Sequence, residues 1–501
     1  MKVKTDIPKL NRMIDASLES IAWRQDRYDT GGIVESDERV DEGRKLYWPW
    51  CWPRTFVVKP LLDFGEIDRV KKFLGFWKNC QGKNGSWLHC YDVRDYSPYP
   101  GSAKETDNVG YILWHIFNYY DYTKDIAWLR ENYQMVERAV KYLLSLYSDK
   151  YKLIWGVEEC STPEGEDWPS GYSTHTNVIC AKGIESASKL AIVLGKKDEG
   201  EKWLKYAENI KEAINTTLWD SNEKHYLFGI SEDGKQRKSV VLWFNIMPTL
   251  MKGDWSRKDE ENFLYLKEKL YNHDPKLPGT YWLKDYRPIL NAKDSPCFNY
   301  SGVGPWIGAT PVVVDILLRA GFLSEASQQM NVITKYTSDE NNLIPEHINT
   351  IHPGKLGNYN VYPNPYYYVD SGNLLHLSFF LTMITTMIGR DDINKNVLWP
   401  KLPENIKYLR VNNLKMKDGY LSYQYEVSEK SRKITITPAK NMELVVYLQQ
   451  FGDRNRVFVN GKSISDFQVV ETYSKQTKYL KLDIKIDKKT IILISGENVE
   501  K

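Results

Sequence analysis

The 501-residue sequence predicts a mainly α protein, an (α/α)6 barrel of two concentric six-helix rings followed by a C-terminal β-sandwich. Two alternations predict the barrel. Helical segments with one apolar stripe alternate with segments that are apolar on every side, and long connections alternate with short ones. A third observation predicts the sandwich, because after Gly389 the hydrophobic period changes from that of a helix to that of a strand.

Six segments carry a single apolar stripe, which is typical of a helix with one face in water. In the third of them Ile126, Leu129, Tyr133 and Val136 recur at helical spacing, with charged residues between them. The six segments lie near residues 8–28, 66–78, 125–148, 197–219, 258–271 and 322–337.

Six further segments are apolar around almost the whole circumference, as in Val312-Val313-Val314 with Ile316-Leu317-Leu318. They lie near residues 55–63, 108–122, 174–194, 239–251, 306–320 and 371–389. A helix without a polar face is buried. Six half-exposed helices that alternate with six buried ones therefore predict an outer ring around an inner ring.

The connections support this arrangement. Links from an inner helix to the next outer one are short, with Gly65, Gly195, Gly253 and Gly321 as expected helix ends. Links from an outer helix to the next inner one are long, so all six long loops emerge where the inner helices begin. They span about residues 30–54, 79–107, 149–173, 220–238, 272–305 and 338–370. Loops of this length in a compact domain usually carry function.

Beyond the helices, residues from about 406 to 499 read as strands. Tyr420 to Tyr425 alternates with period two, and Asp418-Gly419 and Asn460-Gly461 are turn signals. We therefore divide the chain into a barrel domain, residues 1–395, and a β-sandwich domain, residues 396–501.

Composition excludes several classes of function. A net charge of +3 gives no basic footprint for nucleic acid. The six Cys residues include no C-x-x-C pair, so we expect free thiols, no metal site and no cofactor. Without a signal-like apolar stretch or a membrane-span window, the expected location is the cytoplasm. The 34 Tyr and 17 Trp are more than a core needs and suit a sugar-binding cleft.

The first two long loops offer binding residues. The first holds Trp48, Trp50 and Trp52 and ends in Arg54 at a helix start, where the helix dipole disfavours a cation. Arg54 is therefore expected to reach a ligand oxygen, the alternative being a solvated surface position. Asp107 ends the second loop, where it suits an N-cap and could also touch substrate.

The third loop contains five acids within ten residues: Glu158, Glu159, Glu164, Glu166 and Asp167. A general acid needs a carboxyl group with a raised pKa, which partial burial and neighbouring negative charge favour. Glu166, with Asp167 and Trp168 beside it, meets this description.

The sixth loop carries Glu346, the expected general base. Loops three and six precede opposite helices of a six-helix inner ring, so Glu166 and Glu346 are expected to face each other. An inverting glycosidase places its two carboxyl groups about 6.5–9.5 Å apart, which leaves room for a water under the sugar.

These motifs resemble glycoside hydrolase family 15, the glucoamylases and their prokaryotic relatives, over about residues 40 to 390. The resemblance is carried by Trp52-Pro53-Arg54, by Glu166-Asp167 with the Gly171-Tyr172-Ser173 that follows, and by Leu343 to His347. It implies that Glu166 is the acid and Glu346 the base.

The sequence also departs from that family. Thr55 stands where the family has an Asp that holds the glucose hydroxyls. In a second register Trp155 to Glu159 matches the family's acid motif, which would make Glu158 the acid. The sandwich follows the barrel, as in rhamnosidases and the maltose phosphorylase group. Asp37-Glu38-Arg39 resembles a rhamnosidase acid motif, but without the Gly-Trp context.

The leading hypothesis is an inverting, exo-acting glycoside hydrolase for an α-linked oligosaccharide, without metal or organic cofactor. The expected sugar-binding residues are Trp52, Arg54, Asp107, Glu159, Asp167, Trp168, Tyr300, Trp306 and His347, of which the four aromatic ones supply stacking faces. The alternatives are a glycoside phosphorylase, another (α/α)6 glycosidase such as an α-rhamnosidase-like enzyme, and a non-catalytic carbohydrate-binding protein.

Overall fold

The computed structural model describes residues 1–35, 39–41, 44–46, 49–99, 105–158, 170–252, 255–271, 306–349, 367–369, 371–451 and 455–496. In this part of the chain there are twelve α-helices and a 3-10 helix, η1 (Ile307–Ala309). The α-helices are α1 (Pro8–Asp26), α2 (Val58–Phe64), α3 (Ile67–Cys80), α4 (Asp107–Thr123), α5 (Ile126–Ser145), α6 (Thr174–Val193), α7 (Lys197–Thr216), α8 (Leu242–Lys252), α9 (Arg257–Leu270), α10 (Thr310–Ala320), α11 (Leu323–Tyr336) and α12 (Leu374–Ile388).

The even-numbered helices form the inner ring. Each contacts the next in the order α2, α4, α6, α8, α10, α12, and α12 closes the ring against α2. The odd-numbered helices pack outside them and bury one stripe, such as Leu129, Tyr133 and Val136 of α5. In contrast, α10 is buried at every position except Arg319. The predicted (α/α)6 barrel with a following β domain is confirmed.

The helices begin and end close to the predicted positions because local sequence signals set their ends. Gly65 and Gly321 adopt left-handed φ angles of 95° and 87° after α2 and α10. Their N–H groups donate to carbonyls of the last turn, which otherwise lack partners. Gly253, another predicted helix end, lies outside the described residues.

The long loops between outer and inner helices contain short strands. These are β2 (Arg39–Asp41), β3 (Arg44–Leu46), β4 (Trp50–Cys51), β5 (Tyr91–Asp92), β6 (Tyr147–Ser148), β7 (Leu153–Ile154), β8 (Gly156–Val157), β9 (Ser170–Ser173), β10 (Trp219–Asp220), β11 (His225–Tyr226), β12 (Gly229–Ile230), β13 (Gln236–Arg237), β14 (His347–Asn349) and β15 (Tyr367–Val369); β1 (Lys2–Thr5) precedes α1. A sheet in the order β13-β12-β9-β8 joins the third and fourth loops.

The C-terminal domain is a sandwich of two sheets. Its strands are β16 (Val397–Leu398), β17 (Tyr408–Met416), β18 (Gly419–Val427), β19 (Ser431–Pro438), β20 (Met442–Gln449), β21 (Asn455–Val459), β22 (Lys462–Ile464), β23 (Gln468–Glu471), β24 (Lys478–Ile486) and β25 (Thr490–Gly496). One sheet has the order β1-β17-β18-β19-β25-β21-β22 and the other β16-β20-β24-β23. Alternate residues such as Leu421, Tyr423 and Tyr425 face the core, as period-two patterning predicts.

One strand of the sandwich comes from outside the predicted domain boundary. β1, at the N-terminus, pairs antiparallel with β17, with Lys2 opposite Asn412 and Thr5 opposite Leu409. Residues 1–395 therefore do not form the barrel alone, because four of them complete the sheet of the second domain.

Two further observations concern the described residues as a whole. Cys51, Cys80 and Cys180 are buried free thiols, as expected. Among the helices that the structure describes, none has the length and apolarity needed to cross a lipid bilayer.

Candidate active site

The candidate site lies at the mouth of the barrel, which we define as the end where the inner helices have their N-termini. In a closed ring the loops that precede α2, α4, α6, α8, α10 and α12 meet at this end. Most residues predicted from the sequence belong to these loops, so the topology brings the first, second, third and sixth loops to one end of the molecule.

Arg54 is buried just before α2 and forms two ion pairs. Its Nη2 lies 3.0 Å from Oε1 of Glu105, and its Nε lies 3.0 Å from Oδ2 of Asp107. Two buried carboxylates therefore explain a cation at the start of a helix, where the dipole alone disfavours it. The alternative of a solvated surface arginine is wrong, since the residue is 8% exposed.

Asp107 does not cap α4 as expected. It is the first residue of the helix, the N-cap position belongs to Thr106, and no side chain bonds the helix end there. Asp107 is fully buried, and its Oδ1 has no hydrogen-bond partner among the described residues. Burial raises the pKa of Asp107 to about 7, with Arg54 opposing the rise and Glu105 adding to it.

Glu158 is buried at the N-terminus of α6 and accepts several hydrogen bonds. The hydroxyls of Ser173 and Thr176 donate to it, as does the Thr176 backbone N–H at 3.2 Å. Its Oε2 lies 3.2 Å from His175 Nδ1. Burial acts to raise the pKa of Glu158, but His175 and the other donors outweigh it and hold the pKa below its ordinary value.

These groups form one continuous polar network. His175 Nδ1 lies 3.9 Å from Oδ2 of Asp107, which joins Glu158 to the Arg54 pairs. At the other end His89 Nδ1 lies 2.8 Å from Oε2 of Glu105. The Trp52 ring, a predicted stacking face, is half-buried and lies 5.4 Å from the His89 ring. The network thus links the mouths of the neighbouring helices α2, α4 and α6.

Sequence reasoning missed three members of this network. Glu105 was overlooked beside Asp107, although the pair stands two residues apart before an inner helix. His89 and His175 were not singled out either. His175 could have been found, because a buried histidine in the first turn of an inner-ring helix must have a polar partner.

Glu346 is 6% exposed and precedes α12, which stands three places from α6 in the ring. Its carbonyl accepts a 2.9 Å hydrogen bond from Gly308 of η1, and the Ile344 carbonyl accepts one from Gly372, just before α12. Trp306 is half-buried, and its Nε1 donates to His376 Nε2 of α12 at 3.0 Å. The Glu346 backbone is thereby held between the starts of α10 and α12.

Gly308 permits this close packing. A Cβ atom there would lie 2.4 Å from Cγ of His376, closer than side chains approach each other. The position of Glu346 therefore depends on a glycine two residues after Trp306.

Glu35, from the first loop, was also missed by the sequence reasoning. Its carbonyl accepts from the Leu374 N–H at 2.8 Å and from Arg24 Nη1 at 2.8 Å, and its Oε1 accepts from the Leu375 N–H at 3.1 Å. Glu35 therefore binds the first two N–H groups of α12, one through its carbonyl and one through its carboxylate; the helix itself leaves these groups without partners.

The remaining predicted site residues lie outside the described residues: Glu159, Glu166, Asp167, Trp168, Tyr300 and the side chain of His347. The Asp37-Glu38 pair also lies there. Among the side chains that are described, no group of three or more His, Cys, Asp and Glu could hold a metal ion.

Comparison with known proteins shows a similar fold and a matching family model over part of the chain. Residues 64–263 match the family model described as the bacterial alpha-L-rhamnosidase six-hairpin glycosidase domain. Over 214 residues the chain is 23% identical to an uncharacterized glycosyl hydrolase of Methanocaldococcus jannaschii. That alignment covers 42% of this chain and 32% of the relative.

Two solved structures share the architecture. The alpha-L-rhamnosidase from Dictyoglumus thermophilum matches with a TM-score of 0.62 at 16% identity, over 99% of this chain and 50% of that one. A bacterial glucoamylase complexed with acarbose matches with a TM-score of 0.56 at 13% identity, over 75% of this chain and 55% of that one. The chain therefore spans about a third of its curated relative and half of the rhamnosidase.

Proposed function

From the six-hairpin glycosidase fold, which this chain shares with rhamnosidases and glucoamylases, we propose that the protein is an inverting glycoside hydrolase. The observation that carries the proposal is the position of Glu346. This carboxylate is buried at the start of α12, while the acid-rich third loop precedes α6, three places away in the closed ring of six helices. Carboxyl groups on opposite sides of a sugar are what inversion by direct water attack requires.

In this proposal Glu346 is the general base that removes a proton from the attacking water. A carboxyl group of the third loop is the general acid that protonates the glycosidic oxygen as the bond to the sugar breaks. The proton lost by the water and the proton gained by the leaving group balance over one turnover.

We assign the acid role to Glu166 rather than Glu158, and the contacts of Glu158 support this choice. A general acid must hold a proton at the working pH. Glu158 accepts from two hydroxyls and a backbone N–H at a helix N-terminus, which favours its ionised form. Its role in the proposal is to anchor the third loop to α6 and to position His175.

Asp107 and Arg54 form the sugar-binding wall in this proposal. The Oδ1 of Asp107 has no protein hydrogen-bond partner in the described part of the chain, and a buried polar atom of this kind suits a ligand hydroxyl. Arg54 fixes the Asp107 side chain through the ion pair with Oδ2. Trp52 and Trp306, both half-buried at the mouth, provide stacking faces.

Thr55 bears on the choice of sugar. It is fully buried, and its backbone N–H donates to the Pro53 carbonyl. Because threonine has no carboxylate, this position cannot supply the group that holds glucose in the glucoamylase family. The matching family model is of the rhamnosidase type. We therefore propose an α-L-rhamnoside as the first substrate to test and an α-glucoside as the second.

The experiment is a hydrolysis assay with nitrophenyl α-L-rhamnoside and α-glucoside and their oligosaccharides, with and without inorganic phosphate. Glu346→Gln is expected to lower kcat by about 10²-fold to 10⁴-fold, the usual contribution of a general base. Glu340→Gln is the matched control, because Glu340 is an exposed carboxylate of the same loop. A Glu346→Gln variant as active as the control would contradict the proposed base, and phosphate-dependent release would indicate a phosphorylase.

The acid is tested in the same assay with Glu166→Gln, Glu158→Gln and Glu38→Gln. Glu38 belongs in the panel because Asp37-Glu38-Arg39 resembles a rhamnosidase acid motif and the matching family model is of that type. The variant that lacks the general acid should lose activity mainly on substrates with poor leaving groups, because nitrophenolate leaves without being protonated.

A further inference from the structure

His175 lies where three inner helices meet, and it has a polar partner at each ring nitrogen. It is the second residue of α6 and is fully buried. Its Nδ1 lies 3.2 Å from Oε2 of Glu158, and its Nε2 lies 3.1 Å from the hydroxyl of Tyr111 on α4. A histidine with partners at both nitrogens is held in one ring orientation.

The partners of His175 determine which nitrogen donates. The pKa of Glu158 lies below its ordinary value, although burial acts to raise it, so the carboxyl group is ionised and can only accept. Nδ1 therefore carries a proton and donates to Glu158. Burial raises the pKa of Tyr111 well above its ordinary value, so the phenol keeps its proton and can donate to Nε2. The hydrogen bonds thus run from Tyr111 through His175 to Glu158.

Aromatic side chains hold the faces of the imidazole ring. The rings of Trp243 and Phe244, both on α8, lie 5.5 Å and 4.9 Å from the His175 ring. The Tyr111 ring of α4 lies 6.0 Å away. These separations are within the contact range of paired aromatic rings. Packing at the faces and hydrogen bonds at the nitrogens together leave the ring a single position.

From this position His175 also reaches the proposed sugar-binding carboxylate. Its Nδ1 lies 3.9 Å from Oδ2 of Asp107, and Nε of Arg54 lies 3.0 Å from the same oxygen. Because both groups attract Oδ2, the other oxygen, Oδ1, is left for a ligand, and it has no hydrogen-bond partner within the described part of the chain. Burial raises the pKa of Asp107 to about 7, and Arg54 and His175 act against that rise.

Arg54 does not replace His175 in this network. Three buried carboxylates, Glu105, Asp107 and Glu158, lie at the mouth. Arg54 forms its two ion pairs with Glu105 and Asp107, whereas the basic contact of Glu158 comes from His175. His175 is therefore the side chain that connects Glu158 to the sugar-binding wall.

We propose that His175 is a positioning residue of the active site, which fixes the carboxylates of Glu158 and Asp107 through Nδ1 and takes its own orientation from Tyr111. This role rests on the glycoside hydrolase function proposed above. Because His175 acts through Asp107, its effect is on sugar binding, while water activation belongs to Glu346.

Two amide substitutions separate the roles of the two ring nitrogens. The amide nitrogen of asparagine takes the place of Nδ1, and that of glutamine takes the place of Nε2. His175→Asn therefore keeps a donor for Glu158 and Asp107. His175→Gln loses that donor and keeps a polar group only on the Tyr111 side.

The steady-state kinetics of both variants test the proposal with the best substrate of the hydrolysis assay. We expect His175→Gln to raise KM by about tenfold or more, as for a lost hydrogen bond to a charged group, and to change kcat by less than about threefold. His175→Asn should stay within about threefold of the wild-type KM. A residue that only fills space would show the opposite order, because glutamine is closer to histidine in size. Equal KM values for the two variants, or a larger rise in His175→Asn, would overturn the proposal.

His225→Asn is the matched control. His225 is also fully buried, but its Nδ1 bonds the Tyr226 carbonyl at 2.8 Å and its ring stacks on Tyr265. This variant should keep the wild-type KM.

Tyr111→Phe decides the question if the His175 variants do not fold. It retains the packing of the ring and removes only the hydroxyl that orients His175. We expect KM to rise by about threefold or more, as for a lost neutral hydrogen bond, and an unchanged KM would count against the proposal.

Proton NMR separates the role of His175 from the proposed function. An imidazole N–H that donates to a buried carboxylate gives a far-downfield signal that exchanges slowly with water. We expect one such signal to be lost in His175→Gln and kept in His225→Asn. A wild type that shows this signal but hydrolyses no sugar of the panel would contradict the proposed function alone. A hydrolase whose His175→Gln variant loses no such signal would contradict the role of His175 alone.

Discussion

Asp107 is a described carboxyl group whose pKa burial raises toward neutrality. Its folded-state pKa of about 7 lies above the ordinary value of 3.8. A group with a raised folded-state pKa contributes stability that is fully present below the unfolded pKa and lost as pH rises through the folded pKa. This contribution therefore declines between about pH 4 and about pH 7.

Asp107→Asn is expected to remove that decline. Urea unfolding of the wild type and the variant at several pH values would measure it as a difference in the slope of unfolding free energy against pH. Asp149→Asn is the control, since that side chain is 95% exposed. Parallel pH profiles for the wild type and Asp107→Asn would contradict the assignment.

Glu158 is the second residue whose substitution is expected to change the unfolding free energy. Glu158→Gln replaces a buried acceptor with an amide that cannot accept from all of Ser173, Thr176 and His175. The unfolding free energy should fall by about 1–3 kcal/mol. In the kinetic pH profile the limb that reports the general acid should persist, because that limb belongs to another carboxyl group in our proposal. A stable variant that lacks this limb would identify Glu158 as the acid.

The residue scale is also where sequence reasoning was weakest. Arg54 and Asp107 were identified because each stands beside the start of an apolar helix, and Glu158 and Glu346 because they lie in loops that precede such helices and in motifs that resemble those of glycoside hydrolase family 15. Their contacts were not foreseen, because Arg54 pairs with carboxylates about fifty residues away and Glu158 with a histidine on the next helix. Such pairings form only when the ring of helices closes, so no local sequence pattern indicates them.

At the scale of elements, the twelve helices were predictable because the apolar pattern of each segment indicates which of its faces are buried and which are exposed. β1 was not predictable. Its four residues, Lys2 to Thr5, contain a single large apolar side chain, and its partner β17 lies about four hundred residues away. The main-chain hydrogen bonds that add a strand to the edge of a sheet do not depend on a particular pattern of side chains.

The junction of α10 with the sandwich tests how the elements fit together. Gly321 has a left-handed φ of 87°, and a Cβ there would lie 2.1 Å from Oγ1 of Thr472. Gly195 has a φ of 81° and nothing within 4 Å. Both Gly→Ala variants should lose about 1–2 kcal/mol through backbone strain. Gly321→Ala should lose more, because it also displaces the sandwich loop. Equal losses in urea unfolding would contradict this account of the junction.

On the scale of the whole molecule, the barrel and the sandwich enclose the same space. β1, which precedes the barrel helices, pairs with β17 of the sandwich, and in the loop after β23 the Ser474 hydroxyl donates to the Gly321 carbonyl at the end of α10.

The central claim is that Glu346 activates water for hydrolysis with inversion. The most direct test follows the anomer first released from an α-L-rhamnoside or an α-glucoside by proton NMR, for the wild type and Glu346→Gln. We predict that the wild type first releases the β-anomer and that the variant releases sugar at least about 10²-fold more slowly. First release of the α-anomer, or equal rates for the two proteins, would contradict the claim.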